Sequence, residues 1–320
     1  MKMKSWIRAA RPRTLPLAIS CVLFGGALAR SSELSLDGLN RFGPVSICAL
    51  TTVLLLQILA NFANDYGDFA SGTDARAERT DRALTSGSLT ATSMKKAIRT
   101  TAVAALAMGI LTLILAFVPG IVPGTENAML EYSMMGLWGV FGVLGIFAAL
   151  GYTMGKNPNG YRGFGDLFVL LFFGIVGVLG VGSLVAHKVD LSWILVALFS
   201  GCMSVAVLNL NNLRDHETDA QSGKRTLVVK LGFQGGKRYH LVILLIGWAS
   251  LGAFFLGPWS AGDWRGGYWY ALIALLHFRH AFDVWKCKQP ADLDPELKRI
   301  ALSTFLVALF MFMEQTVSIG

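Results

Sequence analysis

Nine stretches of this chain are apolar for long enough to cross a lipid bilayer, and this recurrence limits the fold more than any other feature. A spanning helix needs about 17–25 predominantly apolar residues, because its backbone polar groups must be satisfied within the segment. The runs cover residues 13–29, 43–63, 97–118, 133–153, 165–187, 191–212, 239–257, 267–285 and 300–318. The eighth is the most polar, with His277, Arg279, His280 and Asp283 in its second half. Nine spans in 320 residues leave no length for a separate soluble unit, so 1–320 reads as a single all-α polytopic membrane domain. Only 15% of the residues are charged, against about a quarter in a soluble domain. The basic start, the run from Leu15 to Leu28 and the Ala27-Leu28-Ala29 step have the outline of a secretory leader. Apolar runs continue behind it, so it reads as a retained first helix.

Charge then orients the chain. With the N-terminus in the cytoplasm, 24 of the 28 Lys and Arg fall on that side; Arg30, Arg41, Lys188 and Arg265 fall on the other. This is the positive-inside pattern. It accounts for the net charge of +8 without nucleic acid, since no soluble basic domain exists to bind one. An odd number of spans places the C-terminus outside. Cys21, Cys48, Cys202 and Cys287 form no CxxC pair, so neither a disulfide framework nor a zinc site follows.

Against this apolar background, two polar stretches stand out where hydrophobic helices leave the membrane. One runs from Asn61 to Asp74, the other from Asn209 to Asp219. Asn211, Asp215 and Asp219 are spaced i, i+4, i+8 and share one helix face. Asn64 and Asp68 repeat the first step, with Asp65 between them, Gly72 in the third position and Asp74 two residues on. Asn64 to Asn211 and Asp68 to Asp215 are both offset by 147 residues, a weak internal repeat that gives the second and sixth spans equivalent roles. Intramembrane acids are costly and mark function by default. Facing carboxylates repel unless a cation neutralises them, and all-oxygen ligands favour Mg²⁺ or Ca²⁺ over zinc. Two such clusters on one membrane face suit a diphosphate substrate with one metal per cluster.

Cations surround the clusters. Arg76, Arg79 and Arg82 follow the first, and Lys224 and Arg225 the second. Lys156 and Arg162 lie in a glycine-rich loop, 151–166, on the same side. Such groups can clamp phosphoryl oxygens, although each can also be read as a positive-inside charge. The loop joins two apolar helices without a preceding strand, so it is not a nucleotide loop. Phe164, Phe168, Phe172 and Phe173 read as packing or lipid-facing residues, with the lining of a prenyl groove as the alternative. Gly136, Gly139, Gly142 and Gly145, and likewise Gly174, Gly177 and Gly180, recur every three residues and read as close helix packing. Among the five histidines, His277 and His280 are i, i+3 and read as interfacial.

These residues together resemble the UbiA superfamily of intramembrane prenyltransferases, over almost the whole chain. The resemblance is carried by Ala10-Arg11-Pro12-Arg13-Thr14-Leu15-Pro16, by Asn64-Asp65-Tyr66-Gly67-Asp68 with Gly72 and Asp74, and by Tyr152 to Lys156. Gly160 to Asp166, Asn211 to Asp215 with Asp219, and Gly223-Lys224-Arg225-Thr226 complete it. Gly72, where many relatives carry Asp, is similar to the branch that prenylates 1,4-dihydroxy-2-naphthoate; Met154 and Lys156-Asn157 depart from that branch's small loop residues. The resemblance implies a bundle of nine transmembrane helices in the bacterial inner membrane, with its active site on the cytoplasmic face. It implies Mg²⁺ held by Asn64, Asp65, Asp68, Asn211, Asp215 and Asp219, with Asp74 as a further candidate. Asp65, Asp68, Asp215 and Asp219 would be the catalytic carboxylates, and Lys156, Arg162, Arg79, Lys224 and Arg225 would grip the diphosphate of a polyprenyl donor, with membrane lipid around the bundle. Ionisation of the allylic C–O bond, attack by the naphthoate ring and loss of CO₂ would give demethylmenaquinone. Asp166 and Arg11 or Arg13 are candidates to hold the acceptor. Other acceptors, such as 4-hydroxybenzoate, remain open. An ion-coupled transporter would place its acids nearer the bilayer midplane.

Overall fold

A computed structural model of the protein describes residues 2–32, 34, 36–72, 82–118, 126–155, 158–257 and 267–317. Asp74, Arg79 and Lys156 therefore lie outside the described residues, as does Arg76. A short amphipathic helix, α1 (Lys2–Ala10), precedes the spans. The nine apolar runs become α2 (Leu15–Arg30), α3 (Leu36–Ala70), α4 (Ala91–Phe117), α5 (Glu126–Gly151), α6 (165–186), α7 (Trp193–Gln221), α8 (Leu227–Leu256), α9 (Gly267–Lys286) and α10 (Asp294–Val317). Among the described residues, seven helical stretches, from residue 3 through the end of α8, are long and apolar enough to cross a membrane, and the protein is an integral membrane protein. The more polar α9 and α10 fall outside that group and pack beside them.

Burial in this bundle follows membrane rather than aqueous logic. Val103 and Ile110 on α4 and Val140 and Phe147 on α5 stay exposed, because lipid tails are as apolar as the residues they meet. The main core lies instead around α7, where Phe199, Met203, Ala206, Leu210 and Leu213 are buried against α2, α6, α8 and α10.

Two glycine series part company here. On α6, Gly174 and Gly177 are packing residues: a Cβ on Gly174 would stand 2.6 Å from the Ala197 carbonyl oxygen, and one on Gly177 would stand 3.1 Å from Cys21 Cβ. On α5, a Cβ on Gly136 or Gly142 would meet nothing within 4 Å. A Cβ on Gly139 or Gly145 would lie 3.6 Å from Leu113 or Phe172, so this series packs only in part, and three of its members border a cavity described below. The middle of α6, Leu170–Leu179, winds as a π-helix, a wider turn frequently found at functional sites. The Phe173 carbonyl accepts hydrogen bonds there from Ser200 Oγ (2.8 Å) and Cys21 Sγ (2.9 Å).

The histidines also correct an expectation. His277 and His280 are buried, not interfacial. His280 Nε2 lies 2.9 Å from His240 Nε2, and its Nδ1 lies 2.5 Å from Glu296. His277 Nε2 lies 2.5 Å from Ser303 Oγ, and Trp248 donates to its Nδ1 at 3.0 Å. His277, His280 and Asp283 are thus satisfied between helices, while Arg279 is exposed and pairs with Asp283 on its own helix.

Candidate active site

Each motif helix ends where a glycine takes a backbone conformation that side-chain-bearing residues avoid. Gly72, at φ 72°, stops α3 two residues after Ala70. Gly223, at φ 80°, stops α7 after Gln221. Such left-handed residues are the usual helix C-terminal device. The break at Gly72 in the acidic i+4 series is therefore a helix stop.

The first cluster is held by partners distant in sequence. Asp65, 2% exposed, accepts from Arg11 Nη2 and Arg82 Nη1 at 2.9 Å each. Asp68 Oδ1 accepts from the Tyr161 hydroxyl at 2.7 Å and lies 2.8 Å from Lys224 Nζ. Asn64 Oδ1 accepts from Thr153 Oγ1 at 3.0 Å. Gly67 makes that contact possible, since a Cβ there would sit 2.5 Å from the Thr153 carbonyl oxygen. Arg11 reaches Asp65 from a left-handed backbone (φ 49°) between α1 and α2, costly for a residue other than glycine. Asn61 Nδ2 steadies this corner by donating to the Ala10 carbonyl at 2.8 Å.

The second cluster is held more locally. Arg214 donates from Nε to Asp215 Oδ1 and from Nη2 to Oδ2, both at 2.9 Å, and Nη2 also reaches Asn211 Oδ1 at 3.2 Å. Lys224 links the two clusters. It sits between the Gly223 stop and Thr226, whose side chain caps α8, and its Nζ lies 2.8 Å from Asp68 and 3.6 Å from Asp219. Burial disfavours the Lys224 ammonium, but Asp68 and Asp219 outweigh that penalty and raise its pKa above the usual lysine value.

Both clusters border one cavity of about 210 Å³, lined by Arg11, Asn64, Asp68, Arg82, Tyr161, Asn211, Arg214, Asp215, Asp219 and Lys224 among others. A second, almost wholly apolar cavity of about 480 Å³ extends from it between α3, α4, α5 and α6. Gln57, Ala60, Tyr152, Val169 and Phe173 border both. Phe168 and Phe172 line the apolar part, with Gly139, Gly142 and Gly145 along its α5 wall. Phe168, Phe172 and Phe173 thus line a cavity, whereas Phe164 borders neither cavity and is exposed.

The structure thus gathers Asn64, Asp68, Asn211, Asp215, Asp219 and Lys224 on one cavity. Asp65 does not border it, although both its arginines do. Arg162 stacks over the Phe164 ring at 5.5 Å, and neither it nor Arg225 lines the cavity. The Arg225 backbone N–H instead donates to the Tyr161 carbonyl at 2.8 Å, docking the 159–162 turn on the second motif. Asp166 accepts from the Tyr239 hydroxyl at 3.2 Å, and Arg13 pairs with Asp294; neither borders the cavity. Sequence reasoning missed Tyr161 and Arg214 as side chains of this site. Tyr161 was legible only as the hydroxyl next to Arg162, and Arg214 only as the cation inside the second motif.

Oxygen donors of the kind that suit Mg²⁺ face this cavity from both helices. Among the described residues, no three His, Cys, Asp or Glu side chains converge closely enough to hold a metal by themselves. The donor set therefore fits an ion whose shell is completed by substrate oxygens, the usual way Mg²⁺ is bound with phosphates.

The chain is similar to known proteins over nearly its whole length. Over 308 residues the chain is 38% identical to the 1,4-dihydroxy-2-naphthoate octaprenyltransferase of Haemophilus influenzae, covering 96% of this chain and 94% of that one. Over 321 residues it is 35% identical to the Escherichia coli protein of the same name, covering 98% and 97%. Among solved structures it is similar to a UbiA homologue from Archaeoglobus fulgidus bound to GPP and Mg²⁺, with a TM-score of 0.62 at 12% identity over 98% of each chain. A digeranylgeranylglyceryl phosphate synthase gives a TM-score of 0.56 at 14% identity over 99% of each. At those identities the two structures speak for the fold alone. The model of the UbiA prenyltransferase family matches residues 18–306, and with relatives this similar along nearly the full length, the chain belongs to that family and is a prenyltransferase.

Proposed function

We propose that this protein transfers a polyprenyl group from a polyprenyl diphosphate to 1,4-dihydroxy-2-naphthoate with loss of CO₂, as a single membrane domain whose active site faces the bacterial cytoplasm. The observation that carries this reading is the joined cavity, polar at one end and apolar at the other, which matches the two ends of an allylic diphosphate. The acceptor follows the names of the relatives that share most of the chain.

Asn64, Asp68, Asn211, Asp215 and Asp219 would hold Mg²⁺, which when bound neutralises charge on the diphosphate and makes it a better leaving group. Lys224, Arg82 and Arg11 supply fixed positive charge to the same oxygens. Lys156 and Arg79 are further candidates from their place in the sequence. Asp65 serves by holding Arg11 and Arg82 in position. The allylic C–O bond breaks with its electron pair going to the diphosphate. The naphthoate ring then attacks the allylic carbon through its carboxylate-bearing carbon, and CO₂ departs from that same carbon, leaving its electron pair to restore the aromatic ring. Phe168, Phe172 and Phe173 keep water from the cation and present ring faces to it.

The test is direct. Purified protein with Mg²⁺, a polyprenyl diphosphate and 1,4-dihydroxy-2-naphthoate gives a prenylated, decarboxylated product by mass spectrometry. Turnover of 4-hydroxybenzoate in place of the naphthoate would overturn the acceptor assignment.

A further inference from the structure

Asp294 opens α10, 80 residues from Arg214 in sequence, yet it accepts from Arg214 Nη1 at 2.6 Å. The same guanidinium uses its other two nitrogens on Asp215 and Asn211. Asp294 also accepts from Arg13 Nη1, at 3.0 Å to Oδ1 and 3.3 Å to Oδ2. A chain of charges therefore runs from Arg13 through Asp294 and Arg214 to Asp215, drawing on the segment before α2, the start of α10 and the end of α7.

We propose that Asp294 is a positioning residue that sets how readily the second cluster takes up a divalent cation. This rests on the reading of Asp215 as a cation ligand given above. Arg214 holds both Asp215 oxygens, so its guanidinium competes with any cation for them. The Arg214 side chain is 16% exposed, and leaving Asp215 would strand its charge unless another carboxylate received it. Asp294 is that carboxylate, already in contact through the outermost nitrogen of a rigid planar fork. Its negative charge near the cavity favours the cation as well, so both effects have one sign. Arg13 draws on the same Asp294 oxygens and acts in the opposite sense.

Mn²⁺ binding to the full-length purified protein, followed by electron paramagnetic resonance with inorganic pyrophosphate present to complete the ion's shell, tests this. Asp294 is half exposed and screened by water, so Asp294→Asn should weaken Mn²⁺ binding by about three- to fivefold. Arg13→Gln should leave binding as tight as in the wild type or up to about twofold tighter. Asp292→Asn removes a nearby exposed charge and should leave the affinity unchanged. A loosened fold from breaking this charge chain would weaken binding in both variants, whereas the proposal weakens it in Asp294→Asn alone. The proposal is overturned by an unchanged affinity in Asp294→Asn, by weakening in both Asp294→Asn and Arg13→Gln, or by equal weakening in Asp292→Asn. Absence of Mn²⁺ binding in the wild type would instead overturn the cation reading of Asp215, and the role of Asp294 with it.

Discussion

The two motif helices carry nearly the same acids at the same spacing, yet α3 and α7 use them differently. Helix α3 stops two residues after Asp68, whereas α7 continues six residues past Asp215 and so carries Asp219 on its last turn. Asp65 and Asp68 are held by Arg11, Arg82, Tyr161 and Lys224, all from other segments of the chain. Asp215 is held by its own neighbour, Arg214. Lys224 follows the second motif but makes its shorter contact with the first. A repeated sequence has thus produced one composite site, not two copies of a site. The first half depends on the tertiary fold for its geometry, and the second is largely assembled within one helix turn.

That contrast can be broken experimentally, beginning with the largest effect. Asp68→Asn and Asp215→Asn should each lower turnover about a thousandfold, and the double variant should lose little more, because groups that act as a unit are not additive. Additive losses in steady-state rates would mean two independent sites. Asp65→Asn should mainly cost stability, about 3–5 kcal/mol, by stripping two largely buried arginines of their shared partner. A thermal melt in detergent reads this; an unaltered melt with lost turnover would make Asp65 a ligand after all. Lys224→Met removes the link between the halves and should slow turnover about thirtyfold. Its raised pKa means that the ammonium stays charged past the ordinary lysine range, so the wild-type rate should show no loss from this group below about pH 10. The smallest effect belongs to the apolar end. Gly142→Leu, where a side chain meets open space, should lower kcat/KM about tenfold for a long polyprenyl donor and spare a five-carbon donor. Equal losses for both would mean that the prenyl chain lies elsewhere.

Some of this was open to reading from the residues alone. Long apolar runs gave the nine helices, because a bilayer leaves a backbone few other choices. The i, i+4 acids pointed to both halves of the site, since helix geometry fixes which residues share a face. Single arginines were not legible in the same way. Arg162 and Arg225 looked like diphosphate ligands from their loops, yet neither borders the cavity, while Arg11, Arg82 and Arg214 do. Long cationic side chains reach several ångströms in any direction, and their spacing in sequence says little about which carboxylate they meet. The α5 glycines were legible only in part: small residues at regular spacing look alike whether they sit against a neighbouring helix, as Gly139 and Gly145 do, or face open space, as Gly136 and Gly142 do.

The sequence by itself therefore determined a membrane-embedded helical bundle with two acid-bearing helix ends on one face. Those properties follow from local periodicity and from the cost of burying charge. Only the tertiary structure decided which cations face which acids. It alone also placed Lys224 between the two motifs and joined the polar pocket to an apolar groove. Ion pairs such as Arg11 with Asp65 and Arg214 with Asp294 connect residues 54 and 80 positions apart. No local rule fixes such pairs, because they exist only once packed helices have brought distant segments together.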